Sequence, residues 1–102
     1  MKYDVVIIGA GPAGIFTALE LVRNGSDKKI LMVEKGKPVD KRHCPKAETG
    51  KCMNCKPNCM ITTGFSGAGA FSDGKLSLSC EVGGELPNLI GSEFAQELID
   101  YT

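Results

Sequence analysis

The chain begins with a strand pattern that runs directly into a glycine triplet. Residues 5–8 read VVII, a continuous β-branched run typical of a strand buried on both faces of a parallel sheet. Gly9-x-Gly11-x-x-Gly14 follows without a gap. This order predicts the first turn of a Rossmann-like βαβ unit, in which the glycine-rich turn cradles a dinucleotide.

The residues after the triplet complete the βαβ pattern. Asn24-Gly25 is typical of a helix C-terminus, and residues 30–33, ILMV, predict a second buried strand that ends at Glu34, twenty residues beyond Gly14. Between them, apolar residues recur at helical spacing: Ile15, Ala18, Leu19 and Val22.

Each part of this unit has a physical role in binding a dinucleotide. Gly9 permits the tight turn, Gly11 lets the backbone approach a pyrophosphate, and Gly14 allows close helix–strand packing. The helix N-terminus favours negative charge, and the carboxylate of Glu34 can accept hydrogen bonds from ribose hydroxyls while repelling a 2′-phosphate. The candidate cofactor-binding residues here are Gly9, Gly11, Pro12, Ala13, Gly14, Glu34 and Lys35.

A second glycine-rich segment lies at residues 64–80. Gly67, Ala68 and Gly69 leave a stretch almost without side chains, which suits backbone lying against a flat ligand or donating to an anion. Asp73-Gly74 predicts a β-hairpin, with Leu76, Leu78 and Cys80 alternating after it. A tightly packed β-corner is the alternative explanation of the small residues.

These motifs carry a family resemblance. "YDVVIIGAGPAG" with "EKG" is similar to the FAD-binding start of glutathione-reductase-like flavoproteins, and "GFSGAGAFSDGKL" resembles FAD-dependent, NAD-utilising dehydrogenases. The resemblance implies an α/β, Rossmann-like FAD/NAD(P)-binding domain with FAD as cofactor and NAD(P)H as co-substrate. It also implies that Arg42 reaches the cofactor, and that Gly67, Ala68 and Gly69 lie near the pyrophosphate or the isoalloxazine ring.

The expected organisation has three parts within the N-terminal portion of such a domain. Residues 1–36 form the βαβ unit, residues 37–62 a cysteine-rich basic loop, and residues 63–102 the glycine-rich loop, the hairpin and the start of a helix. Ser92 is the expected N-cap of that helix, whose apolar side contains Phe94, Leu98 and Ile99. Because such flavoproteins are several times longer, we expect this chain to be a fragment.

Four cysteines fall within sixteen residues: Cys44, Cys52, Cys55 and Cys59. Their number and density favour a metal site, holding either zinc or an iron–sulfur cluster. A redox dithiol at Cys52 and Cys55 and a set of unligated thiols are the alternatives. Seven basic residues against two acids between Lys35 and Lys56 can offset thiolate or phosphate charge. His43 is expected to be exposed, and Cys80 to be a small buried hydrophobe.

Composition limits the remaining function classes. The net charge is zero and no basic–aromatic interleaving occurs, so we expect no nucleic-acid partner. No apolar run can span a membrane, and five cysteines without a signal peptide predict a cytoplasmic protein. The expected partners are a small-molecule substrate or electron acceptor and the rest of the same chain. The expected function is a flavin-dependent oxidoreductase, and the alternative is a noncatalytic nucleotide- or metal-binding module.

Overall fold

The computed structural model describes residues 1–102, which divide into two compact units, Met1–Ser72 and Asp73–Thr102. The first unit contains strand β1 (Val5–Ile8), helix α1 (Pro12–Arg23), strand β2 (Ile30–Val33), a 3₁₀ turn (Val39–Lys41), helix α2 (Lys46–Thr49) and a second 3₁₀ turn (Gly67–Phe71). The second unit contains helices α3 (Leu86–Ile90) and α4 (Ser92–Tyr101). No helix combines the length and apolar character needed to cross a bilayer.

The predicted βαβ unit is present. β1 and β2 pair in parallel, with Val5 opposite Ile30 and Ile8 opposite Val33. Parallel neighbours need a long crossover, and α1 supplies it. Beyond the paired residues, the Gly9 N–H donates to the Val33 carbonyl at 2.7 Å, so the ladder continues into the glycine turn.

Both ends of α1 follow from the residues that flank it. Pro12 occupies the first turn, where a missing N–H costs no helical hydrogen bond. At the C-terminus the Ser26 N–H donates to the Leu21 carbonyl and the Gly25 N–H to the Val22 carbonyl, at 3.0 and 3.1 Å. This pair of bonds is a Schellman motif, and Gly25 has the positive φ, 69°, that the motif requires. The predicted helix end at Asn24-Gly25 is therefore confirmed.

The helix can pack against the strand only because residue 14 is glycine. A Cβ added to Gly14 would lie 2.1 Å from the Gly9 carbonyl oxygen and 3.2 Å from a methyl group of Ile7. The first distance is far inside van der Waals contact, so any side chain would push α1 away from β1.

The prediction that β1 is buried on both faces is wrong for this chain. Ile7 is only 9% exposed, whereas Val6 and Ile8 are 54% and 87% exposed. Successive strand side chains point to opposite faces of a sheet, and α1 packs against one of them. The VVII pattern describes a strand with two covered faces, and only one is covered in this structure.

The predicted hairpin at Asp73-Gly74 does not form. Residues 73–79 have no regular secondary structure, and Leu76 and Leu78 are more than 70% exposed. The Asp73 carboxylate instead accepts a hydrogen bond from the Lys75 N–H at 3.3 Å, a local turn that needs no partner strand.

The last helix begins one residue earlier than a Ser92 N-cap requires. Gly91, with φ 86°, is both the C-cap of α3 and the N-cap of α4, so Ser92 already lies inside the helix. Ala95 is the buried residue of α4, while Phe94 and Leu98 remain partly exposed. The Gln96 side chain bonds the Cys80 N–H and the Leu78 carbonyl, and Cys80 is half-buried rather than buried.

We expect Gly14→Ala to destabilise the protein by about 1–3 kcal/mol, because the new methyl group collides with the Gly9 carbonyl. Gly11→Ala is the matched control, since a Cβ there meets nothing within 4 Å and φ is negative. In urea unfolding, the free energy of unfolding of that control should stay within about 1 kcal/mol of the wild-type value. Equal losses in the two variants would contradict the packing argument.

Candidate functional site

The glycine turn leaves open space where the sequence predicts a pyrophosphate. Gly9 turns the chain with φ 101°, and Gly14 is required by packing. Gly11 has neither reason to be glycine, because its φ is −79° and an added Cβ would meet no protein atom within 4 Å. The missing side chain at Gly11 therefore leaves room on the solvent side, which fits close approach of a ligand.

The first turn of α1 faces this space with unpartnered donors. Pro12 has no N–H, and the N–H groups of Ala13 and Gly14 have no carbonyl partner within the helix. The first turn contains no acidic side chain that would offset the helix dipole. Together these groups form an electropositive helix N-terminus suited to a phosphate group.

Glu34 connects the end of β2 to the glycine turn. Its two carboxylate oxygens accept hydrogen bonds from the N–H groups of Ala10 and Gly36, each at 2.8 Å. The hydrogen bonds from Ala10 and then Gly36 are the main causes that lower the pKa of Glu34. Burial opposes them, and the charges of Lys35 and Arg42 lower the pKa further by smaller amounts. A carboxylate accepts about four hydrogen bonds. Two acceptor positions therefore remain for the predicted ribose hydroxyls.

Ala10 brings a third segment to the same place. It is fully buried, its N–H donates to Glu34, and its carbonyl accepts from the Ser66 N–H at 2.7 Å. Ser66 lies in the second glycine-rich segment, immediately before Gly67, so this part of the segment lies beside the dinucleotide turn. The sequence prediction for Gly67, Ala68 and Gly69 required this proximity.

Two glycines allow that approach. A Cβ on Gly36 would lie 2.4 Å from the Gly64 backbone nitrogen, and a Cβ on Gly64 would lie 2.5 Å from the Lys37 carbonyl oxygen. Lys37 and Gly64 form a parallel bridge, and the Phe65 N–H donates to the Lys37 carbonyl. Sequence reasoning missed Gly36, Gly64 and Ser66. Gly36 and Gly64 could have indicated this contact from the sequence, since a glycine in or beside a strand often marks close approach of another backbone.

Arg42 has partners other than the expected cofactor. Its side chain is 5% exposed, and its guanidinium donates to four backbone carbonyls at 2.5–2.9 Å, those of Met60, Ile61, Phe65 and Gly67. It also lies 4.8 Å from the centre of the Phe71 ring, within cation–π range. Arg42 thus holds the segment that leads from the last cysteine into the second glycine-rich segment.

The four clustered cysteines line one cavity. Its volume is about 270 Å³, and Met53 and Met60 also contribute to its wall. All four thiols are free, and no three His, Cys, Asp or Glu side chains converge closely enough to hold a single metal ion. The pKa of Cys59 is lowered, mainly by the backbone N–H of Thr62 and then by its hydroxyl and the Ile61 N–H.

Two other candidate side chains lie at the surface. His43 is 65% exposed and its Nε2 lies 2.9 Å from the Glu48 carboxylate, as expected for a histidine in a basic loop. Lys35 is exposed beside Glu34, and its role as a cofactor-binding residue stays a prediction.

Comparison with known proteins places this geometry in context. The sequence model described as "Pyridine nucleotide-disulphide oxidoreductase" matches residues 3–77. An uncharacterized protein of Clostridium beijerinckii is 44% identical over 77 residues, which is 76% of this chain and 14% of that protein. The mitochondrial electron transfer flavoprotein-ubiquinone oxidoreductase of Dictyostelium discoideum is 45% identical over 42 residues, 37% of this chain and 7% of that protein. No solved structure matches. The chain therefore spans a small part of the length of these relatives.

The Glu34 bonds predict a pH-dependent contribution to stability. Because the folded-state pKa lies below the unfolded value, the contribution is present above the unfolded pKa and is lost as the pH falls through the folded pKa. We therefore expect Glu34→Gln to be less stable than wild type at pH 7, with the difference shrinking as acid protonates the wild-type carboxylate. Urea unfolding at several pH values measures this, with the exposed Glu97→Gln as control. A pH-independent difference would contradict the assignment.

Replacing Arg42 should affect stability far more than replacing its exposed neighbour. Arg42→Ala leaves four carbonyls without their donor, and we expect a loss of about 2–4 kcal/mol. Arg42→Lys should recover only part of it, since an ammonium cannot reproduce the planar fork of donors. Lys41→Ala should be nearly neutral in the same thermal unfolding measurement. If Arg42→Ala left the stability almost unchanged, water would have to replace the guanidinium as the donor to these carbonyls.

Proposed function

Because the chain belongs to the pyridine nucleotide-disulphide oxidoreductase family, we propose that residues 1–72 hold FAD in a flavin-dependent oxidoreductase. Families of this type bind FAD and use NAD(P)H, and the relative from Dictyostelium is named as an electron transfer flavoprotein-ubiquinone oxidoreductase. The observation that carries the proposal is the open space at Gly11. It lies in a turn whose other two glycines are explained by the fold.

The residues present fit the ADP half of FAD. The backbone at Gly11 and the free N–H groups of Ala13 and Gly14 would hold the pyrophosphate, and Glu34 would accept from the adenosine ribose. The electropositive end of α1 would contact the pyrophosphate, and the Glu34 carboxylate would contact the ribose at the other end of the ADP group. A 2′-phosphate would face the Glu34 charge, so the fit favours an adenosine without one.

The second glycine-rich segment supports the remainder of the cofactor. The Ser66–Ala10 hydrogen bond keeps Gly67, Ala68 and Gly69 beside the dinucleotide turn, with no bulky side chain in the way. Bound FAD would supply the hydride chemistry, accepting from a nicotinamide and passing electrons to an acceptor. The chain's own residues bind and orient it. The acceptor and a cytoplasmic location stay predictions from the sequence.

The test is FAD binding to the full-length protein and to its Gly11→Ala variant. A methyl group at Gly11 would overlap the pyrophosphate, and an overpacking cost of about 1–3 kcal/mol corresponds to roughly 5- to 150-fold weaker binding. The fold should be unaffected, because the methyl group meets no protein atom. Isothermal titration of flavin-stripped protein measures the affinity, with unfolding as the check on structure. Unchanged affinity would contradict the placement of the pyrophosphate.

Turnover separates an oxidoreductase from a noncatalytic nucleotide-binding module. Adding NADH without oxygen to the FAD-loaded full-length protein should bleach the oxidised flavin absorption. A protein that binds FAD tightly but keeps its oxidised spectrum with both NADH and NADPH would instead be a passive module.

A further inference from the structure

We propose that the cavity lined by Cys44, Cys52, Cys55 and Cys59 is a binding site for an iron–sulfur cluster. The proposal concerns a site separate from the dinucleotide turn and holds whether or not FAD binds there. It rests on how the chain is folded around the cavity, on the cavity's size relative to a single ion, and on the charges beside it.

The loop that carries the four cysteines is closed at its base. Arg42 donates to the carbonyls of Met60 and Ile61, which joins the residue before the cysteines to the residues after them. All four clustered cysteines lie within this closed loop, and the fifth, Cys80, lies outside it. Closing the loop in the folded protein removes part of the entropy that a ligand would otherwise have to overcome to gather the thiols.

Two left-handed residues direct the chain around the cavity. Gly50, with φ 70°, ends α2 and turns the backbone back towards Cys52. Asn54, with φ 48°, lies between Cys52 and Cys55, and asparagine is one of the few non-glycine residues that adopts this conformation readily. These turns place both thiols of the Cys-x2-Cys pair on the wall of the same cavity.

The size of the cavity favours a cluster over a zinc ion. Tetrahedral zinc binds thiolates at about 2.3 Å, which brings the sulfurs within about 3.8 Å of each other and leaves no space between them. Here no three ligands converge in that way, yet all four cysteines line a single space of about 270 Å³. In an iron–sulfur cluster the thiolates bind several irons separated by sulfides, so they need to surround a volume rather than a point.

The surroundings suit such an anionic group. Met53 and Met60 give the wall apolar surface, and Lys56 also lines the cavity. Lys46 and Lys51 lie in the same closed loop. Four thiolates bring negative charge to one place, and cations nearby reduce its cost.

The test is the iron and acid-labile sulfide content of the full-length protein purified without oxygen. We expect iron and sulfide in equal amounts, about two to four of each per chain, with a broad visible absorption that dithionite bleaches. Protein purified without a cluster should acquire the same content and spectrum when incubated without oxygen with ferric iron, sulfide and a thiol that reduces part of that iron. Zinc at one per chain without sulfide, a Cys52–Cys55 disulfide found by mass spectrometry, or four thiols that take up no iron would each overturn the proposal.

Variants make the assignment specific to the cavity. Cys44→Ser, Cys52→Ser, Cys55→Ser and Cys59→Ser should each lose most of the bound iron and sulfide, whereas Cys80→Ser should retain both. Unfolding curves check that the variants fold, which is expected at the exposed Cys52 and Cys59. Cluster content in Gly11→Ala should equal wild type, so failure of the FAD proposal and failure of this one are distinguishable. Loss of iron in Cys80→Ser alone would contradict the site.

Discussion

The first unit depends on one buried cation. Arg42 is the only buried charged residue, and no carboxylate pairs with it. Four carbonyl oxygens and the face of Phe71 surround the guanidinium instead, so its charge is stabilised by dipoles of the chain's own backbone. Those carbonyls belong to a stretch with little regular secondary structure. One side chain thus replaces the backbone ladder that a strand or helix would supply.

The position of Arg42 links the two candidate sites. Two of its acceptors, Met60 and Ile61, close the cysteine loop, and another, Gly67, lies in the second glycine-rich segment. Its positive charge also contributes to the lowered pKa values of Glu34 and Cys59, after the backbone N–H groups that cause most of each shift. The dinucleotide turn and the cysteine cavity are therefore built on one hydrogen-bonded scaffold.

Hydrogen bonds contribute much of what holds the fold together, because the apolar core is small. Ile7, Ala10 and Ala95 are the buried hydrophobic residues, and several large apolar side chains of β1 and α1 are exposed. Ala10 shows how a small residue compensates, since its N–H and carbonyl join the turn to Glu34 and Ser66. Loops positioned in this way can carry binding groups while the two-stranded sheet supplies only a short rigid base.

The local pattern of the chain was sufficient to predict the βαβ unit. Strand, glycine triplet, amphipathic helix and acid are all encoded over short distances, and the Asn24-Gly25 helix end depends only on neighbouring dihedral angles. The same local reasoning failed at Asp73-Gly74, where a hairpin needs a partner strand that the fold does not provide, and at Ser92, where Gly91 takes the capping position. The partners of Arg42, the Ser66–Ala10 bond and the shared cavity of the four cysteines were decided only by tertiary structure. Each joins residues about twenty or more positions apart, or depends on how a long loop closes, and no periodicity in the sequence records such contacts.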